Sequence, residues 1–232
     1  MKTILVPTDY SDVAYNALCY ASELANYTQA KLILFHAYHV PVPTTEVPVL
    51  FISPQELEKE HHERIKKLEK EIVDISSGKV KVESIVRAGF AVDEILGLIK
   101  EKSIDTVVIG MKGGGTLSKI IGSTTTALMK RTTCPVIVVP EKAKFKEIKK
   151  IVYACDYEKI NNHSSLEPLW KLAQMYDAEI MVFNVKDPRV HPSTKEAIEG
   201  IRLEHWLGRV KHSYWFAENS DVVEAINDFV EK

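Results

Sequence analysis

The first 140 residues alternate short, uninterrupted apolar runs with longer segments whose apolar residues recur every three or four positions. The short runs predict strands buried on both faces, and the longer segments predict amphipathic helices. Ser11 or Asp12 can cap the first helix, and Ser53 can cap the second. Residues 38–53 carry three prolines without a period and predict a long loop. The predicted strands are Ile4–Val6, Lys31–Ala37, Val80–Val86, Thr106–Ile109 and Cys134–Val139, and the later helices are 53–76, 90–101 and 124–131.

Strands and helices therefore alternate, which predicts an α/β fold with a parallel sheet, helices on both faces and right-handed crossovers. In such sheets, ligands bind beyond the carboxyl ends of the strands, at the point where the strand order reverses. Two strand ends carry unusual sequences: Pro7-Thr8-Asp9 follows the first strand, and the glycines of 110–115 follow the fourth. These two loops are the candidate ligand-binding segments.

The chain also repeats itself. Residues 2–11 resemble 149–158, residues 24–37 resemble 172–185, and residues 91–102 resemble 221–232 more weakly. This pattern predicts a tandem of two domains, a complete one over 1–142 and a truncated one over 143–232. The second copy has no counterpart of 103–140, so it lacks the fourth and fifth strands. Its first strand, centred on Val152, is expected to be an open sheet edge.

Composition excludes several classes of function. The formal net charge is −2 and no basic stripe is present, so nucleic-acid binding has little electrostatic support. No apolar run reaches the roughly 18 residues of a membrane span, so the cytoplasm is the expected location. Three cysteines without C-x-x-C spacing favour free, buried thiols. His36 and His39 fit no metal-ligand pattern, while His61 and His62 are adjacent on a charged helix and are expected on its solvated face.

The segment GMKGGGTLSKIIGST at 110–124 combines a glycine-rich turn with a helix start. Gly110 follows a buried strand, where the chain is expected to turn sharply; glycine tolerates a positive φ there and lets a phosphate approach backbone N–H groups. Gly122-Ser123-Thr124 begins the next helix, whose free N–H groups and dipole favour an anion. Lys112 and Lys119 can add positive charge. No G-K-[ST] triplet is present, so the segment is not a Walker A loop, and a merely permissive turn is the alternative.

Several motifs together resemble the universal stress protein family. The resemblance covers all of 1–140 and extends to 149–232 as a truncated second copy. It implies a Rossmann-like five-stranded parallel sheet of order 3-2-1-4-5. The motifs are Ile4-Leu5-Val6-Pro7-Thr8-Asp9-Tyr10-Ser11, Leu34-Phe35-His36-Ala37, Ala88-Gly89, Gly110-Met111-Lys112-Gly113 through Gly122-Ser123, and Cys134-Pro135-Val136-Ile137-Val138-Val139-Pro140.

Some members of that family bind ATP through a G-x2-G-x9-G-[ST] motif. Gly110-x2-Gly113 matches it, but eight residues instead of nine separate Gly113 from Gly122, so the third glycine position falls on Ser123. The resemblance implies that Asp9 contacts the ribose or adenine; its carboxylate could also help hold Mg²⁺, or cap the first helix. The implied cofactor-binding residues are Pro7, Thr8, Asp9, Ala37, Ile109, Gly110, Gly113, Gly122, Ser123 and Thr124.

The leading interpretation is a stress-response protein that binds ATP, with or without magnesium, in the first domain as a regulatory ligand. No general base is evident, so the sequence does not decide whether the protein is an enzyme. Slow hydrolysis of ATP is the one activity that fits this interpretation. The alternative is a dimeric interaction or scaffold module that binds no nucleotide. The second copy keeps Asp156 but has no glycine loop, and is expected to bind no nucleotide on its own. A homodimer is expected through strand Cys134–Val139; other protein partners are unknown.

Overall fold

Two compact units make up the chain, with the division between Phe145 and Lys146. A computed structural model describes residues 1–40, 53–112, 122–157, 163–186 and 194–231, without the side chains of 163–165 and 194–197. Most of the predicted proline-rich loop lies outside these residues. None of the helices described is long and apolar enough to cross a membrane.

The first unit is a five-stranded parallel sheet of order β3-β2-β1-β4-β5, which confirms the predicted fold. The apolar runs form its strands, and the segments of helical period form the connections between them. In chain order, the elements are β1 (Thr3–Pro7), α1 (Asp12–Thr28), β2 (Lys31–Tyr38), α2 (Pro54–Ile75), β3 (Val82–Ala88), α3 (Ala91–Glu101), β4 (Thr106–Met111), α4 (Ser123–Arg131) and β5 (Val136–Pro140).

The central strands are buried because helices cover both faces of the sheet. Ile4, Leu5 and Val6 of β1 are fully buried. On one face, Leu5 packs in a cluster with Ile95 of α3 and Leu128 of α4. Right-handed crossovers place α1 and α2 on the opposite face. The strand order reverses between β1 and β4, so their carboxyl ends border the crevice where such sheets bind ligands.

Hydrogen bonds at the helix starts agree with the sequence. Ser11 caps α1 through its hydroxyl, which accepts from the Ala14 N–H at 3.3 Å. Ser53 and Glu56 form a reciprocal capping box at α2, with Pro54 in the first turn. Ser11, and not Asp9, is thus the cap of the first helix.

The third and fifth strands begin two residues later than predicted, and the fourth ends two residues later. The third strand is at Val82–Ala88 instead of 80–86, and the fifth is at Val136–Pro140 instead of 134–139. Val80 is buried, but it precedes the paired residues of β3. The Cys134 N–H donates to the Thr132 hydroxyl at 2.9 Å, a local turn that delays the start of β5.

The second unit contains a three-stranded parallel sheet of order β6-β7-β8. Within the described part of the chain, β6 pairs only with β7 and therefore forms one edge, the position that the sequence predicted for this strand. Ile180 and Val182 of β7 are fully buried in its core. The elements are β6 (Lys150–Ala154), α5 (His163–Tyr176), β7 (Glu179–Lys186), α6 (Thr194–Leu207), β8 (His212–Glu218) and α7 (Val222–Val230).

Three hydrogen bonds fix the turn after β1 around Thr8. The Thr8 N–H donates to the Phe35 carbonyl at 2.8 Å, and the Thr8 hydroxyl accepts from the Tyr10 N–H at 3.0 Å. The Thr8 carbonyl accepts from Nδ1 of His36 at 2.8 Å. Tyr10 has a φ of 64°, a left-handed conformation that is uncommon for a residue with a large side chain.

The second unit repeats this turn after β6 with different side chains. The Cys155 N–H donates to the Phe183 carbonyl at 3.0 Å, and the Tyr157 N–H donates to the Cys155 sulfur at 3.4 Å. The Cys155 carbonyl accepts from the Asn184 amide at 2.7 Å, so Asn184 takes the place of His36. Tyr157 has a φ of 58°. The backbone arrangement is therefore shared, although the two sequences at the strand end differ.

Candidate functional site

A cavity of about 300 Å³ lies at the carboxyl ends of β1 and β4, at the lower end of the range of about 300–1,000 Å³ that ligand pockets occupy. Pro7-Thr8-Asp9 and Gly110 meet there because β1 and β4 are neighbours in the sheet. Gly113 and Lys119 lie outside the described residues. The predicted site residues that line the cavity are Pro7, Thr8, Asp9, Ala37, Ile109, Gly110, Gly122, Ser123 and Thr124.

Other lining residues were not predicted. Val13 and Ala14 come from the first turn of α1, and Ala91 and Ile95 from the start of α3. Both helices begin beside the carboxyl ends of the strands, so the crossover topology brings their first turns to the rim. The remaining unpredicted residues at the cavity are Ser11, Phe35 and Thr125, and Lys112, which was expected to add positive charge, also lines it.

Gly110 has a different role from the one the sequence predicted. It lies inside β4 and is not among the residues with positive φ, so the expected sharp turn at this position is wrong. A Cβ atom on Gly110 would lie 2.6 Å from the Val13 carbonyl oxygen and 2.7 Å from Val13 Cγ1. Glycine is required because β4 passes very close to the start of α1. This close approach shapes one wall of the cavity.

The N-terminus of α4 opens onto the cavity. Gly122 is the N-cap residue, and no side chain among the described residues hydrogen-bonds to this end of the helix. The first N–H groups of a helix have no partners within it and carry a partial positive charge. Ser123 and Thr124 add hydroxyl groups at the same rim. This end of α4 can therefore donate several hydrogen bonds to an anion.

Asp9 and Lys112 supply charge of opposite sign to the cavity. Burial alone would raise the pKa of the Asp9 carboxyl, but hydrogen bonds from Ser11 and the charge of Lys112 outweigh it and lower the pKa. The Ser11 hydroxyl donates to Asp9 Oδ1 at 2.6 Å, and the Ser11 N–H donates to the same oxygen at 3.0 Å. Asp9 is thus a fixed, ionised acceptor at neutral pH.

An aromatic and histidine cluster lies directly against the Thr8 turn. The His36 ring is 4.4 Å from the Tyr10 ring and 4.8 Å from the His61 ring, measured between centroids. His61 also stacks on Tyr38 at 4.6 Å. The Arg64 guanidinium lies 4.0 Å above the centre of the Tyr10 ring. Tyr10 has its pKa raised to about 12, mainly by burial.

The expectation that His61 and His62 both lie on a solvated face is wrong for His61. His62 is exposed, whereas His61 is half-buried and its Nδ1 atom is inaccessible to water. The two residues point about 100° apart on α2, and only His61 faces β2. The charged composition of the helix concealed the single position that packs against His36.

The described residues contain no group of three or more histidine, cysteine or acidic side chains that could hold a metal ion. All three cysteines are free thiols; Cys155 is buried, whereas Cys19 and Cys134 are only half-buried. The second unit has its own cavity, of about 370 Å³, lined by residues of α5 and α6 that include Trp170 and Trp206. None of the predicted site residues lines that second cavity.

The sheet order and the cavity define the first unit as a doubly wound α/β domain with a cavity at its switch point. A family model described as the universal stress protein family matches residues 1–140. The chain belongs to the universal stress protein family. The family assignment inferred from the sequence motifs is therefore confirmed.

Individual relatives extend this result. The universal stress protein YxiE of Bacillus subtilis is 31% identical over 143 residues, which span 59% of this chain and 97% of that relative. A universal stress protein structure from Archaeoglobus fulgidus covers 99% of this chain and 84% of its own, with a TM-score of 0.73 and 14% identity, and shares the fold. A universal stress protein solved in complex with cAMP is 26% identical, covers 60% of this chain and 96% of its own, and has a TM-score of 0.44.

Proposed function

We propose that the first unit binds an adenine nucleotide, ATP in particular, as a regulatory ligand in a stress response. The observation that carries this proposal is the cavity at the carboxyl ends of β1 and β4, which is lined by both the Thr8 turn and the open N-terminus of α4. One end of the cavity is apolar and the other offers hydrogen-bond donors. A nucleotide has the same division between an apolar, planar base and anionic phosphates.

The phosphates would bind at the start of α4. The free N–H groups after Gly122 and the hydroxyls of Ser123 and Thr124 are the donors, and Lys112 adds charge at the same rim. Magnesium would enter with the phosphates of ATP. The base would lie against the apolar wall, and Asp9 would accept hydrogen bonds from the ribose or the adenine. The apolar wall consists of Pro7, Phe35, Ala37, Ile95 and Ile109.

Fast hydrolysis is not part of this proposal. Asp9 is the only carboxylate among the described residues that line the cavity. Its lowered pKa makes it a weak base at neutral pH, whereas a general base works best with a pKa near the operating pH. A ligand that is bound and only slowly consumed suits a regulatory role.

Calorimetric titration of the full chain with ATP and Mg²⁺ tests the site through two glycines. An added Cβ meets no atom within 4 Å at Gly122 or at Gly97, so both alanine variants should fold. Gly122→Ala would place a methyl group where phosphate meets the helix N–H groups. Since hydrogen bonds to charged groups contribute about 1.5–3 kcal/mol, we expect affinity to fall about tenfold or more. Gly97→Ala, exposed on α3, is the control and should bind ATP as wild type does.

The titration separates the nucleotide proposal from its alternative. Absence of heat in the wild-type protein would refute nucleotide binding and favour an interaction module without nucleotide. Equal affinities for wild type and Gly122→Ala would instead refute the phosphate position. AMP and cAMP, titrated in the same way, would identify how many phosphate groups the crevice accepts.

We also propose that the second unit is a shortened copy of the first and binds no nucleotide on its own. The repeated hydrogen bonds around Cys155 and Thr8 support common descent. The sequence of the second unit has no counterpart of the helix start at Gly122-Ser123. The titration should therefore give one nucleotide per chain, and a stoichiometry of two would contradict this proposal.

A homodimer through β5 is the third part of the proposal. β5 is an edge strand of the sheet, because among the described strands it pairs only with β4. The Pro135 carbonyl accepts from the Val107 N–H at 2.9 Å, so by alternation the N–H of Val138 points away from β4. Val138→Pro should remove that donor and convert a dimer to a monomer in light scattering. A monomeric wild-type protein would refute the dimer.

A further inference from the structure

We propose that His36 is a positioning residue that makes the ligand site sensitive to pH: neutral His36 lets α2 pack against the Thr8 turn in its binding conformation, and protonation of His36 separates α2 from the turn. This inference rests on the proposed nucleotide site. It identifies a regulatory input for that site from residues that do not line the cavity themselves.

The hydrogen bond to Thr8 fixes the tautomer of His36. A carbonyl oxygen can only accept, so the His36 Nδ1 atom, 2.8 Å from the Thr8 oxygen, must carry the proton. In the neutral ring, Nε2 is then an unprotonated acceptor. It is inaccessible to water and has no hydrogen-bond partner among the described residues. The residue as a whole is only 8% exposed.

The surroundings of His36 disfavour a second proton on its imidazole ring. His61 and Arg64 face it from α2, Tyr38 lies two residues along β2, and Asp9 and Tyr10 lie in the turn after β1. Burial lowers the pKa of His36, and the charges of His61 and Arg64 lower it further, while the bond to Thr8 and the charge of Asp9 act in the opposite direction. The neutral form therefore prevails at neutral pH.

Protonation would place a charge in this buried contact between α2 and the turn. The new Nε2–H donor has no described acceptor, and the imidazolium would repel Arg64 and a protonated His61. Separation of α2 from the turn would expose the new donor to water and would reduce the repulsion between the charges. Because Thr8 and Asp9 line the cavity, any displacement of the turn changes the wall against which the ligand binds.

The second unit shows which substitution of His36 would preserve the hydrogen bond to the turn. Asn184 occupies the equivalent position and donates from its side chain to the Cys155 carbonyl at 2.7 Å. Asparagine therefore makes the same hydrogen bond to this turn and cannot be protonated. His36→Asn should retain the position of Thr8 and remove the titration. His36→Ala removes both, and His62→Asn changes an exposed histidine of α2 as a control.

The test is the affinity of the full chain for ATP between pH 5 and 8, expressed at each pH as the ratio of the dissociation constants of wild type and His36→Asn. Ionisation of the ligand is common to both proteins and cancels in the ratio. We expect a constant ratio above pH 7, and wild type to weaken relative to the variant below pH 6.5, by at most about tenfold per pH unit for one proton. The His62→Asn protein should follow wild type throughout.

A constant ratio across the whole range would overturn the inference. Recovery of affinity by His36→Asn at pH 8, where His36→Ala is weak, would support the positioning role, and equal affinities of the two variants would contradict it.

A readout without ligand keeps the inference separate from the proposed function. The Tyr10 amide, which donates to Thr8, should shift in an NMR titration of wild type with the same midpoint as the His36 ring nitrogens. If ATP does not bind, the nucleotide proposal fails while this coupling still stands. If the Tyr10 amide does not follow His36, the inference fails whether or not ATP binds, and this measurement does not require any variant to fold.

Discussion

Substitution of Gly110 by alanine directly tests how β4 packs against α1. The added Cβ would lie 2.6 Å from the Val13 carbonyl oxygen, a distance that real Cβ atoms do not adopt. The obstacle is backbone at the start of a helix, which cannot rotate out of the way as a long side chain can. Either β4 or the first turn of α1 must therefore move.

The expected cost follows from this clash. Extra methyl groups in a well-packed interior typically cost about 1–3 kcal/mol, because neighbouring atoms shift and side chains leave their preferred rotamers. For a protein of this size, that corresponds to a fall in melting temperature of about 2–4 °C per kcal/mol. For Gly97→Ala we expect the opposite effect, a gain in stability. Gly97 is a solvent-exposed position in the middle of α3 with open space around its Cα, so alanine should stabilise the helix by about 0.5–1 kcal/mol.

Urea unfolding followed by two probes assigns the effect to a unit. All three tryptophans, Trp170, Trp206 and Trp215, lie in the second unit, so their fluorescence follows the unfolding of that unit. Far-UV circular dichroism follows both units. A transition seen by circular dichroism without a change in tryptophan fluorescence belongs to the first unit, and its midpoint is the quantity to compare. If the two probes report the same transition, the midpoint of that common transition is compared between wild type and variant instead.

A Gly110→Ala protein as stable as wild type would refute the claimed close approach of β4 to Val13. A stability loss in Gly97→Ala would refute the description of its surroundings as open. Because both variants make the same chemical change, a difference in sign between them cannot come from the general effect of alanine on the unfolded chain.

Three further outcomes follow from particular contacts. His36 has a lowered pKa, so its contribution to stability is present above pH 6.5 and is lost as the pH falls below it; relative to His36→Asn, wild type should lose at most about 1.4 kcal/mol per pH unit in urea titrations. Ser53→Ala removes the capping box of α2 and should destabilise the first unit by about 1 kcal/mol, measured by thermal unfolding. Ser11→Ala removes a hydrogen bond to Asp9, so the Asp9 pKa should rise in a carboxyl NMR titration; no rise would contradict the assigned bond.

The sequence predicted the sheet and the strand ends that border the cavity for simple physical reasons. Buried parallel strands appear as apolar runs, and Pro7-Thr8-Asp9 and Gly122-Ser123 stand directly at element ends. Parallel topology then brings those ends to one edge. The three-stranded sheet described for the second unit was also expected, because the repeated segments include no counterpart of 103–140.

The details that the sequence did not predict depend on contacts between elements. Gly110 was assigned to a sharp turn because glycine permits positive φ, whereas its actual constraint is the distance to Val13 on another element. The cluster of His36 and His61 joins residues 25 positions apart, and it depends on which side of α2 faces β2. Because most residues of α2 are charged, its composition does not show which of the two adjacent histidines is half-buried.

The left-handed tyrosines, Tyr10 and Tyr157, have a practical consequence for protein engineering. The same backbone turn is built once with Thr8 and once with Cys155, so its geometry is separable from the side chains that it presents. Short strand-end sequences could then be exchanged between the two units without redesign of the backbone. Such grafts would place the binding residues of one turn in the other and measure how much of a ligand site is contained in a few side chains.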